Sequence, residues 1–333
     1  MNALYQISWL ELDDILRDAH SILLTTHINP DGDGIGSQVA FFHHLKEWEK
    51  DVRIINMSSL PFQYQYLNDG DIIEQYCSEH DDWIHQTDLA VIFDVGNPSR
   101  IKTIGDLILG KKTTICIDHH ASHNTDSYTH NIVDPGAPST GSLLWEYFLA
   151  TRGKGPLPLS IADALYTAIV TDTGSFRYSN TNVHAHRMAI HMIESGTIPQ
   201  RIHQLVFEQR KLSQVRLLGQ ILEGLKFAAD GQVVWFHVTE EMLDRAGADG
   251  EDVDGYTDFV RSIKGVEIAF MLMETSDQLR INFRSKGKYS VNDVARHFGG
   301  GGHKFAAGAT IKGASIIDLE PQLLEQIKLK INE

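Results

Sequence analysis

The sequence predicts an α/β protein: an N-terminal parallel-sheet domain with helices on both faces, a helical connector, and a smaller C-terminal α/β domain. Three observations carry this expectation. Short, near-continuous apolar runs ("SILLTT", "DLAVIFDV", "TTICID") alternate with helical stretches through the first part of the chain. Strands apolar on both faces belong to parallel sheets covered on both sides. After Gly196 the alternation stops, and strand-like runs resume only at "QVVWFHV", "EIAFMLME" and "QLRINFRS". The 333 residues suffice for two domains. The expected division is 1–196 for the sheet domain, 197–214 for the connector and 215–333 for the second domain.

In chain order, Ser8 and Glu11 form an S-x-x-E capping box that opens the helix "WLELDDILRDAH". A buried strand follows from Ile22 to Thr25, then a helix from about Ser37 to Trp48. "DVRIINM", "DLAVIFDV" and "TTICID" read as the next strands, with a helix over "SRIKTIGDLIL". "LSIADALYTAIVTDTG" and "NVHAHRMAIHMIESG" read as helices, each stopped by a glycine. The stretch "IPQRIHQLVFEQRKLSQVRLLGQILEGLKF" is helical throughout, with no strand. Helices are expected again at "VNDVARHF" and at the C-terminal "IIDLEPQLLEQIKLKI".

Composition narrows the function. Apolar residues make up 42% and charged residues 22%, as in a globular protein with real cores. The 29 basic and 44 acidic side chains give a net charge of −15. That balance argues against tight binding of long duplex nucleic acid, whose affinity comes largely from phosphate neutralisation. It leaves room for a small anion in a local cationic or metal-filled pocket. Of the two cysteines, Cys116 lies in an apolar run and reads as a small buried hydrophobe, so no disulfide framework or cysteine metal site is implied. No signal peptide or membrane-length apolar stretch is seen, which makes a cytoplasmic chain the expectation.

Four clusters stand out, three of them at the ends of apolar strands. They are His27, Asp31 and Asp33 in "HINPDGDGIGS"; Asp94 after "LAVIF"; Asp118, His119 and His120 after "TTICI"; and Asp172 in "TDTGSF", a turn after a helix. Ligands of open α/β sheets sit at the carboxyl ends of strands, so these groups converge on one crevice. Two aspartates one residue apart repel, and a metal ion is the obvious compensating charge. A calcium loop is excluded, because its twelfth position, which needs a bidentate Glu, is Phe42. His43, His44, His184, His186 and His191 fall on helices and read as surface or interface residues. The run "GGGGHKF" is not a P-loop, since His303 stands where Gly is needed and Phe305 where Ser or Thr is needed. It reads either as a flexible loop or as backbone that approaches a phosphate closely.

The four clusters, in this order, resemble the motifs of the DHH phosphoesterase superfamily. "FRSKGKYSVNDVARHFGGGGHKFAAGA" resembles the glycine-rich motif of its DHH-associated domain. The likeness covers nearly the whole chain and is to the stand-alone two-domain branch, the bacterial oligoribonucleases (nanoRNases) that also dephosphorylate 3′-phosphoadenosine 5′-phosphate (pAp). The resemblance implies two divalent metal ions, Mn²⁺ before Mg²⁺ or Co²⁺ because imidazole joins the carboxylates. It implies His27 and Asp31 on the first ion, Asp33, His119 and Asp172 on the second, and Asp94 between them. His120 would contact the scissile phosphate or protonate the leaving oxygen, with Asp118 orienting it. Arg284 and His303, with Gly300, Gly301 and Gly302, would grip a further phosphate of the substrate. "DVGNPSR" after Asp94 departs from the family's commoner Asp-Thr/Ser form, and Pro138 is unusually placed in "DPGAPSTGSLLWEY".

The implied partners are short oligonucleotides and pAp as substrates, with no long duplex nucleic acid and no membrane. A homodimer is compatible with the sequence. A phosphodiesterase of cyclic dinucleotides or of pApA and pGpG shares all the motifs and stands as the alternative. A catalytically silent nucleotide-binding module would need a lost ligand, and every expected ligand is present.

Overall fold

The computed structural model describes residues 3–120 and 125–332, and the chain divides into two compact units, Met1–Gln209 and Arg210–Glu333. The first unit begins with β1 (Leu4–Tyr5), α1 (Trp9–Asp18), β2 (Ser21–Thr25), α2 (Gly32–Lys46), β3 (Asp51–Asn56) and β4 (Ile73–Gln75). It continues through α3 (Asp81–Gln86), β5 (Leu89–Phe93), α4 (Lys102–Ile108), β6 (Thr113–Asp118) and β7 (His130–Val133). Four helices close it: α5 (Thr140–Arg152), α6 (Leu159–Asp172), α7 (Val183–Glu194) and α8 (Pro199–Phe207).

The seven strands form one sheet in the order β1-β7-β6-β5-β2-β3-β4. All pairings are parallel except β1 with β7. Ile22, Leu24, Val91, Phe93, Ile115 and Ile117 point into a core shared with α1, α2, α5 and α6. Leu23, Ala90, Ile92 and Cys116 point to the other face, against Ile84 of α3 and Ile104 and Ile108 of α4. Both faces are covered, which is why these strands read as unbroken apolar runs. After β2 the chain winds one way to β3 and β4; after β5 it winds the other way to β6 and β7. The reversal lies between β2 and β5 and leaves a crevice beyond their carboxyl ends.

The capping box at Ser8 is present, with Glu11 N–H donating to Ser8 Oγ at 3.2 Å and Ser8 N–H to Glu11 Oε2 at 2.7 Å. Helix α2, expected from Ser37, begins at Gly32. Its glycines face close neighbours. A Cβ at Gly32 would lie 2.5 Å from the Thr171 side chain, at Gly34 2.5 Å from Thr26 Oγ1, and at Gly36 2.3 Å from Ala164 O. Packing against α6 thus overrides the poor helix propensity of glycine. His44 and His191, read as surface or interface residues, are buried. His44 lies between α2 and α5, 2.9 Å from Tyr147 Oη, and His191 Nδ1 accepts from Trp145 Nε1 at 2.8 Å.

The unit boundary falls inside the stretch read as a connector, between α8 and α9 (Leu212–Glu223). The second unit continues with β8 (Lys226–Ala228), β9 (Val233–Val238), α10 (Glu240–Ala246), α11 (Tyr256–Arg261) and β10 (Ile268–Glu274). It ends with β11 (Gln278–Ser285), α12 (Asn292–His297), β12 (Gly301–His303), β13 (Ala306–Lys312) and α13 (Ile316–Asn332). Lys226 and Phe227, read as the end of a helical stretch, instead start the short edge strand β8. The six strands order as β12-β13-β11-β10-β9-β8, with only β9 and β10 parallel. Helices α12 and α13 cover one face, and α9, α10 and α11 pack on the other. Among the described residues no helix is long and apolar enough to cross a membrane.

Candidate functional site

Every residue of the four clusters reaches the crevice of the first unit, at or beside the strand ends. His27 follows β2, Asp94 follows β5, and Asp118 ends β6 with His119 and His120 just beyond. Asp31 caps α2, its Oδ1 accepting from the N–H of Asp33 and Gly34 at 3.0 and 3.2 Å. Asp33 sits in the first turn of that helix. Asp172, expected in a turn, is the last residue of α6.

Three sets of side chains each bring their possible ligand atoms within 4.8 Å of one another: His27, Asp31 and Asp94; Asp33, His119 and Asp172; and Asp94, His119 and His120. Asp94 divides between them. Its Oδ2 lies 3.4 Å from His27 Nε2, while its Oδ1 lies 3.5 Å from both His119 Nε2 and His120 Nδ1. His119 Nε2 is also 3.7 Å from Asp33 Oδ2 and from Asp172 Oδ2. Asp94 has φ 59°, a left-handed backbone that is uncommon outside glycine and marks the turn aiming its carboxylate.

Burial together with mutual repulsion sets the charges. Asp33 is pushed up to about 8, by burial first and then by Asp172. Asp94 is raised well above its usual range by burial, then by Asp33 and Asp31. Asp172 is raised by burial as well. Burial lowers His27. It also opposes charge on His119, but Asp33, Asp172 and Asp94 outweigh it and raise that group. His120 rises to about 9: burial again opposes, and the Asp118 hydrogen bond at 2.7 Å, with Asp94, prevails. So many carboxylates in one dry pocket cannot all ionise unaided. Their mixture with imidazole nitrogens suits first-row divalent cations, so the donor set fits metal ions.

Sequence reasoning assigned no role to several groups that hold this array. The first backbone N–H groups of α5 grip Asp33: Thr140 N–H donates to Oδ2 at 2.6 Å and Gly141 N–H to Oδ1 at 2.9 Å. A helix N-terminus is suited to a carboxylate. Thr140 Oγ1 donates to Asp94 Oδ1 at 3.2 Å. Asn180 Nδ2 donates to Asp172 Oδ2 at 2.9 Å and to the carbonyls of Asp172 and Pro138. Pro138 thus has a place beside the array. Arg100 Nη2 lies 2.7 Å from His27 Nδ1, which is also 2.8 Å from the Ile28 carbonyl. The unusual "DVGNPSR" was the available signal. It supplies Arg100, and it supplies Gly96, where a Cβ would sit 2.8 Å from His120 Cβ.

In the second unit, Arg284 and His303 line a trough of about 490 Å³ with Gly300, Gly301 and Gly302. The glycine run is part turn and part strand: Gly301–His303 is strand β12, paired with β13. Gly300 and Gly302 are demanded by packing, since a Cβ would meet Gly308 O at 2.1 Å and Ala306 O at 2.6 Å, respectively. Gly299 and Gly301 face open space. Arg284 is held by Asp258 Oδ2 at 3.1 Å from Nε and by Asn282 Oδ1 at 2.7 Å from Nη1.

The DHH family N-terminal domain matches residues 21–169, and the DHHA1 domain matches residues 231–333. A Thermus thermophilus relative, the bifunctional oligoribonuclease and PAP phosphatase NrnA, is 30% identical over 92% of this chain and 89% of its own length. The chain belongs to the DHH family. Within the DHH fold, an exopolyphosphatase-related protein from Bacteroides fragilis superposes with a TM-score of 0.91 at 26% identity, covering 98% of this chain and 97% of that one. The exonuclease RecJ bound to manganese shares the fold alone, with a TM-score of 0.55 at 14% identity over 97% of this chain and 94% of that one.

Proposed function

We propose that this DHH protein is a divalent-metal-dependent phosphoesterase of small nucleotides, cleaving short oligoribonucleotides to mononucleotides and releasing phosphate from pAp. The observation that carries the reading is the split Asp94 carboxylate. One oxygen completes a His27–Asp31 set and the other faces His119, which itself joins Asp33 and Asp172. Two sets sharing one carboxylate suit a pair of cations, and kinship with the NrnA relatives points to the substrates.

In this reading His27 and Asp31 would hold one ion, Asp33, His119 and Asp172 the other, and Asp94 would serve both. Mn²⁺ fits the two imidazoles best, with Mg²⁺ and Co²⁺ as weaker fits. Bound there, the ions would make water nucleophilic near neutral pH and offset phosphoryl charge. The chain's own residues do the rest. The N-terminus of α5 fixes Asp33, and Asn180 fixes Asp172. Asp118 holds His120 by Nδ1, so Nε2 is the nitrogen that hydrogen-bonds a phosphoryl oxygen or gives a proton to the leaving oxygen. In the second unit, Arg284 and His303 grip a phosphate that does not react, Arg by its planar fork.

The test is a panel of pAp and two- to ten-nucleotide RNA with metal-stripped protein, before and after Mn²⁺ is restored, for wild type and Asp94→Ala. Turnover restored by Mn²⁺ and absent from Asp94→Ala is the expected outcome. Full activity after exhaustive chelation, or near-normal kcat in Mn²⁺-loaded Asp94→Ala, refutes the metal assignment. Hydrolysis of cyclic dinucleotides ahead of every member of the panel refutes the substrate assignment.

A further inference from the structure

The trough of the second unit extends beyond the Arg284–His303 end. Strand β11 alternates strictly: Leu279, Ile281, Phe283 and Ser285 are buried, while Arg280, Asn282 and Arg284 share the opposite, half-open face. Strand register sets out three rows on that face. The first is Arg284, Ala306 and His303; the second is Asn282, Gly308 and Gly301; the third is Arg280 and Thr310. An arginine therefore stands at each end, the Cα atoms about 13 Å apart by the rise of a strand over four residues. Between them Gly301 and Gly308 leave the floor bare beside Asn282. Packing explains Gly308, whose Cβ would meet Ile281 O at 2.8 Å, but nothing in the fold requires a glycine at 301.

The two arginines are held differently. Arg284 is fixed by Asp258 and Asn282. Arg280 meets Asp254 only across 4.0 Å, with the Asp254 side chain 82% exposed. A solvated contact of that kind contributes little and yields to a better anion.

We propose that Arg280 forms a second phosphate subsite, so that the trough reads two phosphates of an oligonucleotide with a nucleoside lying on the glycine floor between them. This rests on the nucleotide-phosphoesterase reading and adds to it a source of chain-length preference. Of the two phosphates of pAp one is being cleaved, which leaves only one for the trough. A trinucleotide has a phosphate to spare.

The experiment uses the Mn²⁺-loaded protein in an Asp94→Ala background, where substrate is bound but not consumed. Calorimetry compares pAp with pApApA, with and without Arg280→Ala or Arg280→Gln. Either variant should weaken pApApA about tenfold, the lower end for a hydrogen bond to a charged group, and weaken pAp less than twofold. The slope of log affinity against log salt for pApApA should fall by about 0.7, one phosphate contact on a single strand. Gly301→Val, which fills the floor, should weaken pApApA more than pAp. In the otherwise unmodified enzyme the ratio of kcat/KM on pApApA to that on pAp should fall about tenfold on Arg280→Gln. Equal effects on both ligands, or none, overturn the subsite while leaving the phosphoesterase reading intact. Failure of the otherwise unmodified Mn²⁺-loaded enzyme to turn over either ligand overturns both.

Discussion

The charge state of Asp33 gives the sharpest quantitative prediction. Its carboxyl, at about 8 in the metal-free fold against an ordinary 3.8, keeps a proton that the unfolded chain has lost. Stability of the metal-free first unit is therefore highest below pH 4 as far as this group is concerned, and falls as pH rises toward 8. The slope approaches 1.36 kcal/mol per pH unit for each proton so held, which amounts to about 2 kcal/mol between pH 6 and 8 for Asp33 alone. His120, raised to about 9, gives up its stabilisation over the same range and adds in the same direction. Urea unfolding in chelator should show the midpoint dropping by about 1 M from pH 6 to 8. Mn²⁺ binding at Asp33 should release that proton, and the release should shrink as pH rises toward 8. Calorimetric heats should therefore depend on the ionisation enthalpy of the buffer. Asp172→Asn should flatten the pH dependence, because it removes the charge that does most, after burial, to raise Asp33. A urea midpoint flat from pH 6 to 8, together with buffer-independent heats, would show that the carboxylates are already ionised in the free protein and that their crowding is not the reason the site binds metal.

Asn180→Leu should weaken Mn²⁺ binding by 10- to 100-fold, the usual cost of losing a group that orients a ligand; an unchanged affinity by calorimetry would show that Asp172 needs no support. Arg284→Ala should keep its bound Mn²⁺ and lose about 1.5–3 kcal/mol of transition-state stabilisation on pAp. It should lose far less on bis-p-nitrophenyl phosphate, which has no second phosphate, and an equal loss on both would assign Arg284 to the fold. Gly36→Ala should destabilise by about 1–3 kcal/mol by forcing α2 from α6, read from thermal unfolding; an unchanged melting temperature would mean that the crossing has slack. His44, lowered by burial to about 3, contributes stability that is complete above pH 6.5 and is lost as pH falls toward 3. Its Nε2 meets a Tyr147 hydroxyl that donates to Asp13, while Nδ1 has no hydrogen-bond partner among the described residues, so a proton there gains nothing. His44→Phe should hold its melting temperature better than wild type between pH 6 and 4, and parallel curves would refute this.

The parallel sheet and the four clusters were legible because their signals are local: an apolar run, then a carboxylate or imidazole at its end. What escaped depends on contacts between distant residues. Nothing near Asp33 announces that the N–H groups of Thr140 and Gly141 will hold it, nor does anything near Asp172 point to Asn180 as more than a loop residue. His44 and His191 looked peripheral because polar residues on helices usually are, yet α2 is buried over nearly its whole circumference. The start of α2 is the instructive miss. Read by propensity, "DGDGIG" is a turn, and a turn explains two nearby aspartates only as flexible ligands. Read by packing, its glycines are what let a helix lie against Thr171, Thr26 and Ala164, and the helix must then begin at Gly32. That beginning is what separates the two charges. Asp31 stays outside as the N-cap and turns one oxygen toward His27. Asp33, one residue into the helix, points toward the N-terminus of α5 and toward His119. The two carboxylates therefore join different side-chain sets because a helix start lies between them, and the glycine spacing that hid the helix is also what permits it.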